Sequence, residues 1–409
     1  MEKQSGASNL TAIAILNAFA DPHLLADTLI SRAEADDRAD QTVWLPSLGT
    51  IQTALAENNR HIRRLGRKSI TLPHGGGMLA YAGEIPRARE FWAEFSERIE
   101  NLNAYDETRR IDRVMLEAIL QSMNVPQLSI LGVLNDYNGQ QDIFEYGGAV
   151  TAETQNYGRC LFAGSGAEFL LDLVLTADAF WSGVNHRPLG QTITEELAES
   201  ISSRSLFLES AFPPNSQNSP LAHSFGGFVE WYKIERDGVK PHRERVEIHL
   251  TSGQRSRIGR VYLVGMVRNQ NAPTLGSDIV VVSLTPAVAD IEVHQVDGLN
   301  LWLINQLKGE GTIIQPSLPF YDRPEEEQAI DRFSGPISYE SLCRTFGEDA
   351  EFHRVRLVTA TGSRIAAEGM VSVGTGDPLA WLGQTDGMAE IVLNHAVAST
   401  AIQRLLGSE

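Results

Sequence analysis

Only two cysteines, Cys160 and Cys343, occur in 409 residues. This excludes a disulfide framework and a cysteine-built metal site, and both side chains are expected to be packed thiols. The ten histidines are scattered, and none sits in a His-Glu-x-x-His arrangement, so no metal is expected. Long apolar runs are missing too. No stretch approaches the length of a membrane span, and Met1 to Asn9 carries no apolar signal core. Cations are outnumbered: 34 Lys and Arg face 52 Asp and Glu, a net charge of -18. That balance argues against a general nucleic-acid binder and against an anionic membrane surface as partner. A hydrophobic content of 42% is that of a globular chain, here long enough for two domains and expected in the cytoplasm.

The pattern along the chain alternates strands and helices. Residues 10–20 and 23–30 are apolar, partly β-branched, and read as buried strands. Residues 31–42 are acidic and polar and read as loop or short helix, and 50–64 fits a short helix. Strands at 68–73 and 78–82 flank Gly75-Gly76-Gly77. A phosphate cradle would need a helix after those glycines, and a strand follows instead. Pro86 suits the first turn of a helix whose apolar stripe is Ala88, Phe91, Trp92, Phe95, Ile99 and Leu102. A second helix, 107–123, offers Ile111, Val114, Met115 and Ala118 as its inward face.

Strands return at 127–134, 142–146 and 159–163. Gly164-Ser165-Gly166 then opens a helix so apolar, from Phe169 to Trp181, that full burial is expected. A dinucleotide fingerprint at this turn would need Gly at 169, where Phe169 stands. A nucleophile elbow would need Gly at 163 and 167, where Ala163 and Ala167 stand. No cofactor is therefore expected. Thr192 and Glu195 form a capping box for a further helix, with Ile193, Leu197, Ile201 and Leu208 inward. Residues 226–234 read as a strand. Beyond it, 245–253 resembles 354–362, each followed by another strand-like run, which predicts two similar β-hairpins. Strands are expected at 278–285 and 290–296, and short helices at 299–307 and 338–346. A C-terminal helix over 386–406 would be capped by Asp386, with His395 on its inner face.

Thr11, Asp27 and Lys68 carry the chemistry. A threonine hydroxyl is a poor nucleophile at neutral pH and needs a nearby base. If Thr11 became the first residue of a processed chain, its α-amine, whose pKa lies close to neutrality, would serve. A lysine ammonium beside it would favour the alkoxide, and a carboxylate would hold that lysine in place. Backbone N–H groups at a glycine-containing turn would receive the oxyanion.

This order and spacing resemble the proteasome β-type family of N-terminal-nucleophile hydrolases, over about residues 10–240. Thr11, Asp27 and Lys68 match the family's residues on its first strands. Ala82-Gly83 matches the turn whose amide forms the oxyanion hole, and Gly164-Ser165-Gly166 matches a later Gly-Ser-Gly turn. The resemblance implies an α+β fold with a four-layer αββα sandwich over 11–240. It implies an arm or propeptide over 1–10, and leaves 241–409 as a C-terminal β-rich α+β extension without an assigned role. The implied activity is that of a threonine-type peptidase or amidohydrolase, self-processed before Thr11. Its catalytic set would be Thr11, Asp27, Lys68 and Gly83, supported by Ser165 and Gly166. Peptide or protein substrates, a homo-oligomer, and an ATP-dependent unfoldase or other protein partner follow from the same resemblance. An alternative follows from Leu10, where the family's processing site usually has Gly, and from the lack of a late Asp in 215–224. It is an unprocessed, catalytically inactive binding or scaffold subunit.

Overall fold

A computed structural model of the chain describes residues 11–32, 42–52, 54–55, 60–106, 108–183, 192–241, 244–251, 257–268, 277–284, 293–296, 299–304, 311–314, 330–333, 338–348, 350–372 and 377–394. The first strands are β1 (Ala12–Leu16), β2 (His23–Asp27), β3 (Leu29–Arg32), β4 (Thr42–Leu45), β5 (Gly49–Gln52), β6 (Ala54–Leu55), β7 (Arg60–Leu65), β8 (Ser69–Thr71) and β9 (Gly77–Gly83). Helices α1 (Ile85–Asn103) and α2 (Arg113–Met123) precede β10 (Leu128–Asn135), β11 (Gln141–Tyr146), β12 (Val150–Thr154) and β13 (Gly158–Gly164). Then come α3 (Ala167–Ser182), α4 (Ile193–Ala211), β14 (Val229–Glu235) and β15 (Gly238–Pro241). The remaining strands before the last helix are β16 (Arg245–Thr251), β17 (Arg257–Arg268), β18 (Ser277–Leu284), β19 (Val293–Val296), β20 (Leu299–Ile304), β21 (Gly311–Ile314) and β22 (Ile330–Phe333). After α5 (Tyr339–Phe346) come β23 (Glu351–Phe352), β24 (Arg354–Thr361), β25 (Arg364–Ser372), β26 (Ala380–Thr385) and β27 (Met388–Asn394).

Two sheets frame the region around Thr11. One has six strands in the order β12-β13-β1-β2-β14-β15, the other four in the order β11-β10-β9-β8. Ile13, Ile15, Leu24 and Ala26 of the first pack with Met78, Ala80, Leu131 and Val133 of the second. Ala88, Phe91 and Phe95 of α1 and Leu116, Ile119 and Leu120 of α2 bury against the four-stranded sheet. Leu170 and Val174 of α3 and Leu197 and Ile201 of α4 bury against the six-stranded one. The α4 capping box forms as expected: the Thr192 hydroxyl accepts Glu195 N at 3.1 Å, and Glu195 Oε2 accepts Thr192 N at 2.9 Å.

The chain as a whole is not the four-layer αββα sandwich with an extension that the resemblance implies. Strand is the dominant state, spread over six sheets, with five helices among the described residues. The central cluster is not closed by the two sheets alone, because Tyr262 and Val264 of β17 enter it. Sheets of seven strands (β22-β21-β18-β17-β16-β24-β25) and five strands (β19-β20-β27-β26-β23) make up most of the rest.

Part of the difference lies in stretches that the apolar pattern assigned to helix. Within 50–64 the chain forms β5, β6 and β7, and within 299–307 it forms β20. Asp386 does not cap a helix. With Gly387 it makes the two-residue turn between β26 and β27, at φ 53° and 77°, the left-handed geometry an Asp-Gly hairpin requires. Residues 33–41 and the remainder of the expected C-terminal helix, including His395, lie outside the described residues. The second helix starts late, at Arg113, where the Asp112 carboxylate accepts Met115 N at 2.9 Å. Its buried face is Leu116, Ile119 and Leu120, and Val114, about 200° round the helix from Leu116, is 74% exposed. Helix α3 is buried on one face only, with Phe180 exposed on the other. No helix among the described residues is long and apolar enough to cross a membrane.

Candidate functional site

Thr11 immediately precedes β1 and is wholly buried. Strand β1 runs antiparallel to β13 with Ala12 opposite Gly164, so the turn after β13 falls beside Thr11. Thr11 N donates to Ser165 Oγ at 3.1 Å. The Thr11 carbonyl accepts Gly166 N at 3.2 Å and the Ser165 hydroxyl at 3.4 Å. Gly164 permits this approach: it sits at φ +91°, and a Cβ there would stand 2.0 Å from Thr11 O. The same absent Cβ would lie 3.1 Å from Ala82 Cβ. Ala82-Gly83 is thus packed at the Gly164 turn, with Gly83 fixed opposite Leu128 at the end of β9.

Asp27 closes β2, the other neighbour of β1. Its Oδ1 accepts Ala12 N at 2.9 Å and Lys68 Nζ at 2.7 Å. Its Oδ2 accepts Leu29 N at 3.1 Å and Gly226 N at 3.2 Å. Lys68 Nζ also donates to Leu29 O at 2.5 Å. Neither Asp27 nor Lys68 is exposed at all. Burial lifts the Asp27 carboxyl above its usual range and pulls the Lys68 ammonium below its own, while their direct contact works against both displacements. The three amide donors on Asp27 favour its ionised form. The structure therefore links Asp27 and Lys68 directly. It joins Thr11 to them through the Ala12 amide, and to Ser165 and Gly166 through its own backbone.

Carboxylates that no motif announced stand behind this set. Glu230 Oε1 accepts the Ser69 hydroxyl at 2.7 Å and Lys68 N at 3.4 Å, and its Oε2 accepts the Tyr232 hydroxyl at 3.0 Å. Arg67 lies 3.6 Å from the same carboxylate and over the Tyr232 ring. Burial raises the Glu230 carboxyl, and Arg67 opposes that rise. Glu209, in the last turn of α4, accepts Gly227 N at 2.7 Å and the Ser47 hydroxyl. No pattern in the sequence points to either residue, because their partners lie far along the chain. No group of three or more His, Cys, Asp or Glu side chains among the described residues is placed to hold a metal.

This arrangement can hold a threonine backbone rigidly beside a buried lysine–carboxylate pair. Compared with known proteins, the chain matches no family model and no curated protein.

Proposed function

We propose that the chain is a threonine-type peptidase or amidohydrolase, similar in its site to proteasome β subunits, that becomes active when the Leu10–Thr11 bond is cut. The observation that carries this reading is one carboxylate oxygen: Asp27 Oδ1 accepts both Lys68 Nζ and the amide of Ala12, the residue after Thr11, in a wholly buried setting. In the processed chain the Thr11 α-amine takes the hydroxyl proton while the oxygen attacks a substrate carbonyl. The C–N bond then breaks, the amine leaves with the proton, and water hydrolyses the Thr11 ester. Lys68, its charge destabilised by burial, favours the alkoxide and Asp27 holds it. Ser165 and Gly166 fix the Thr11 backbone, and the Gly83 amide receives the oxyanion.

Substrates are peptides or proteins, and the acidic chain works as a homo-oligomer served by an ATP-dependent unfoldase or another protein partner. Its free thiols, Cys160 and Cys343, suit a reducing compartment such as the cytoplasm. A second reading is favoured by the burial of Thr11 in the intact chain and by the engagement of its amide with Ser165. In that reading the chain stays uncut and serves as an inactive binding or scaffold subunit.

The two readings separate on incubation of the purified protein with a mixed peptide library read by mass spectrometry. The hydrolase cleaves peptides, and Thr11→Ala does not. Absence of cleavage by the unsubstituted protein would favour the scaffold.

A further inference from the structure

Two consecutive amides, Gly226 and Gly227, are held by two different buried carboxylates. Gly226 N donates to Asp27 Oδ2 at 3.2 Å, and Gly227 N donates to Glu209 Oε2 at 2.7 Å. The turn leaves no slack. Gly226 lies at φ +150°, where a Cβ would stand 2.2 Å from Glu209 Oε2, and Gly227 lies at φ +76°. Next to them Leu29 N donates to Gly226 O at 3.2 Å, and Phe228 N donates to the Thr28 hydroxyl at 3.0 Å.

Three remote segments converge on Glu209, which is 1% exposed. It ends α4. Its other oxygen accepts the hydroxyl of Ser47, in the turn between β4 and β5. The neighbouring Pro46 carbonyl accepts Arg260 Nη1 of β17 at 3.2 Å. Asp27 of β2 and Arg260 and Tyr262 of β17 are the charged or titratable groups that act on the Glu209 carboxyl from other elements. A carboxylate suits this place because two donors, an amide and a hydroxyl, meet it from opposite sides.

We infer that Glu209 is a positioning residue of the threonine site: by fixing the Gly226–Gly227 turn it aims Gly226 N at Asp27, and so holds Asp27 on Lys68 and Ala12. The inference rests on the hydrolase reading for its catalytic consequence, but its geometric part stands apart from it. Burial raises the Glu209 carboxyl to about 7, Ser47 and Gly227 oppose the rise, and Asp27 adds to it. Either protonation state can accept Gly227 N. Glutamine can also do so, through its amide oxygen, while its NH2 donates to Ser47 Oγ.

The test compares the full-length protein with Glu209→Gln, Glu209→Ala and the milder Ser47→Ala. Amide exchange of Gly226 and Gly227 is read by NMR on glycine-labelled protein, and peptide hydrolysis is measured in parallel. Glu209→Ala should speed exchange of both glycines by at least about fivefold, the equivalent of one buried hydrogen bond. It should lower kcat roughly ten- to a hundredfold, with KM within about twofold. Glu209→Gln should restore both. If Glu209→Ala does not fold, faster exchange in Ser47→Ala supports the inference and unchanged exchange there overturns it. Unchanged exchange in a folded Glu209→Ala, or a Glu209→Gln protein as impaired as Glu209→Ala, overturns it as well. If the unsubstituted protein cleaves nothing, the hydrolase reading fails, and the glycine exchange still decides whether Glu209 holds the turn.

Discussion

Lys68 Nζ lies 2.7 Å from Asp27 Oδ1, and neither side chain reaches solvent. A buried ion pair of this kind need not add net stability, but breaking it from one side strands a charge. Lys68→Met and Asp27→Leu should each destabilise the fold by about 3–5 kcal/mol, and the double variant by clearly less than the sum. Urea unfolding of the four proteins measures the coupling. Additive effects would mean that the two side chains are held independently.

Glu209 makes stability depend on pH with a definite sign. Its carboxyl titrates at about 7 in the folded chain against an ordinary 4.5, because burial outweighs the Ser47 and Gly227 contacts. Between those values the folded chain keeps a proton that the unfolded chain releases. Stability should therefore fall as pH rises from about 4.5 to about 7, then level off, with on the order of 3 kcal/mol at stake. Glu209→Gln removes this component. Unfolding midpoints of both proteins at about pH 5 and pH 8 check it, and identical pH dependence in the two would contradict it.

Glu247 has the opposite sign. Burial would raise its carboxyl. The His249 contact at 2.7 Å, the Arg245 contact at 3.2 Å and the charge of Arg356 outweigh burial and bring it down to about 2. The folded chain then resists a proton that the unfolded chain accepts near 4.5. The stability it contributes is complete above about pH 4.5 and is lost as pH falls toward 2, again on the order of 3 kcal/mol. Acid titration of Glu247→Gln against the unsubstituted protein should show a shallower loss over that window, and parallel curves would count against the assignment. The same face carries Arg354 to Glu199 at 2.5 Å and Arg356 to Glu196 at 3.1 Å, so α4 and β24 share a buried ionic contact.

Gly164→Ala tests the seat of Thr11. At φ +91°, with Thr11 O at 2.0 Å from the new methyl group, the substitution should cost about 1–3 kcal/mol and move Ser165 away from Thr11 N. Chemical denaturation measures the first effect. An unchanged midpoint would mean that the turn has room which the structure denies it.

Legibility followed the range of the interactions. Thr11 and Asp27 come close because β1 and β2 form a local pair, and the Thr192–Glu195 box lies within one turn. Pro86 likewise marked the start of α1. The resemblance between 245–253 and 354–362 proved spatial: β16 and β24 pair in parallel with Val246 opposite Val355. Glu209 and Glu230 could not be anticipated, since their partners Ser47 and Ser69 lie 162 and 161 positions away. The fold class failed where short apolar runs fitted either period. Ile391, Val392 and Leu393 are consecutive buried residues of a strand, and Asp386 before them suits a hairpin turn as well as a helix cap. Val114 faces outward because the apolar stripe of α2 runs through Leu116, Ile119 and Leu120, and a stripe drawn through Ile111, which precedes the helix, selects the wrong phase.

The intact mass of the chain purified from its native host decides whether Thr11 becomes an N-terminal residue. An interior threonine has an amide nitrogen and no free amine to take its hydroxyl proton, so the hydrolase requires cleavage between Leu10 and Thr11. Self-processing predicts a mass lacking Met1 through Leu10, and a full-length mass for Thr11→Ala. A full-length mass for the unsubstituted protein would contradict it, and would leave Thr11 a buried residue beside β1 with no free amine.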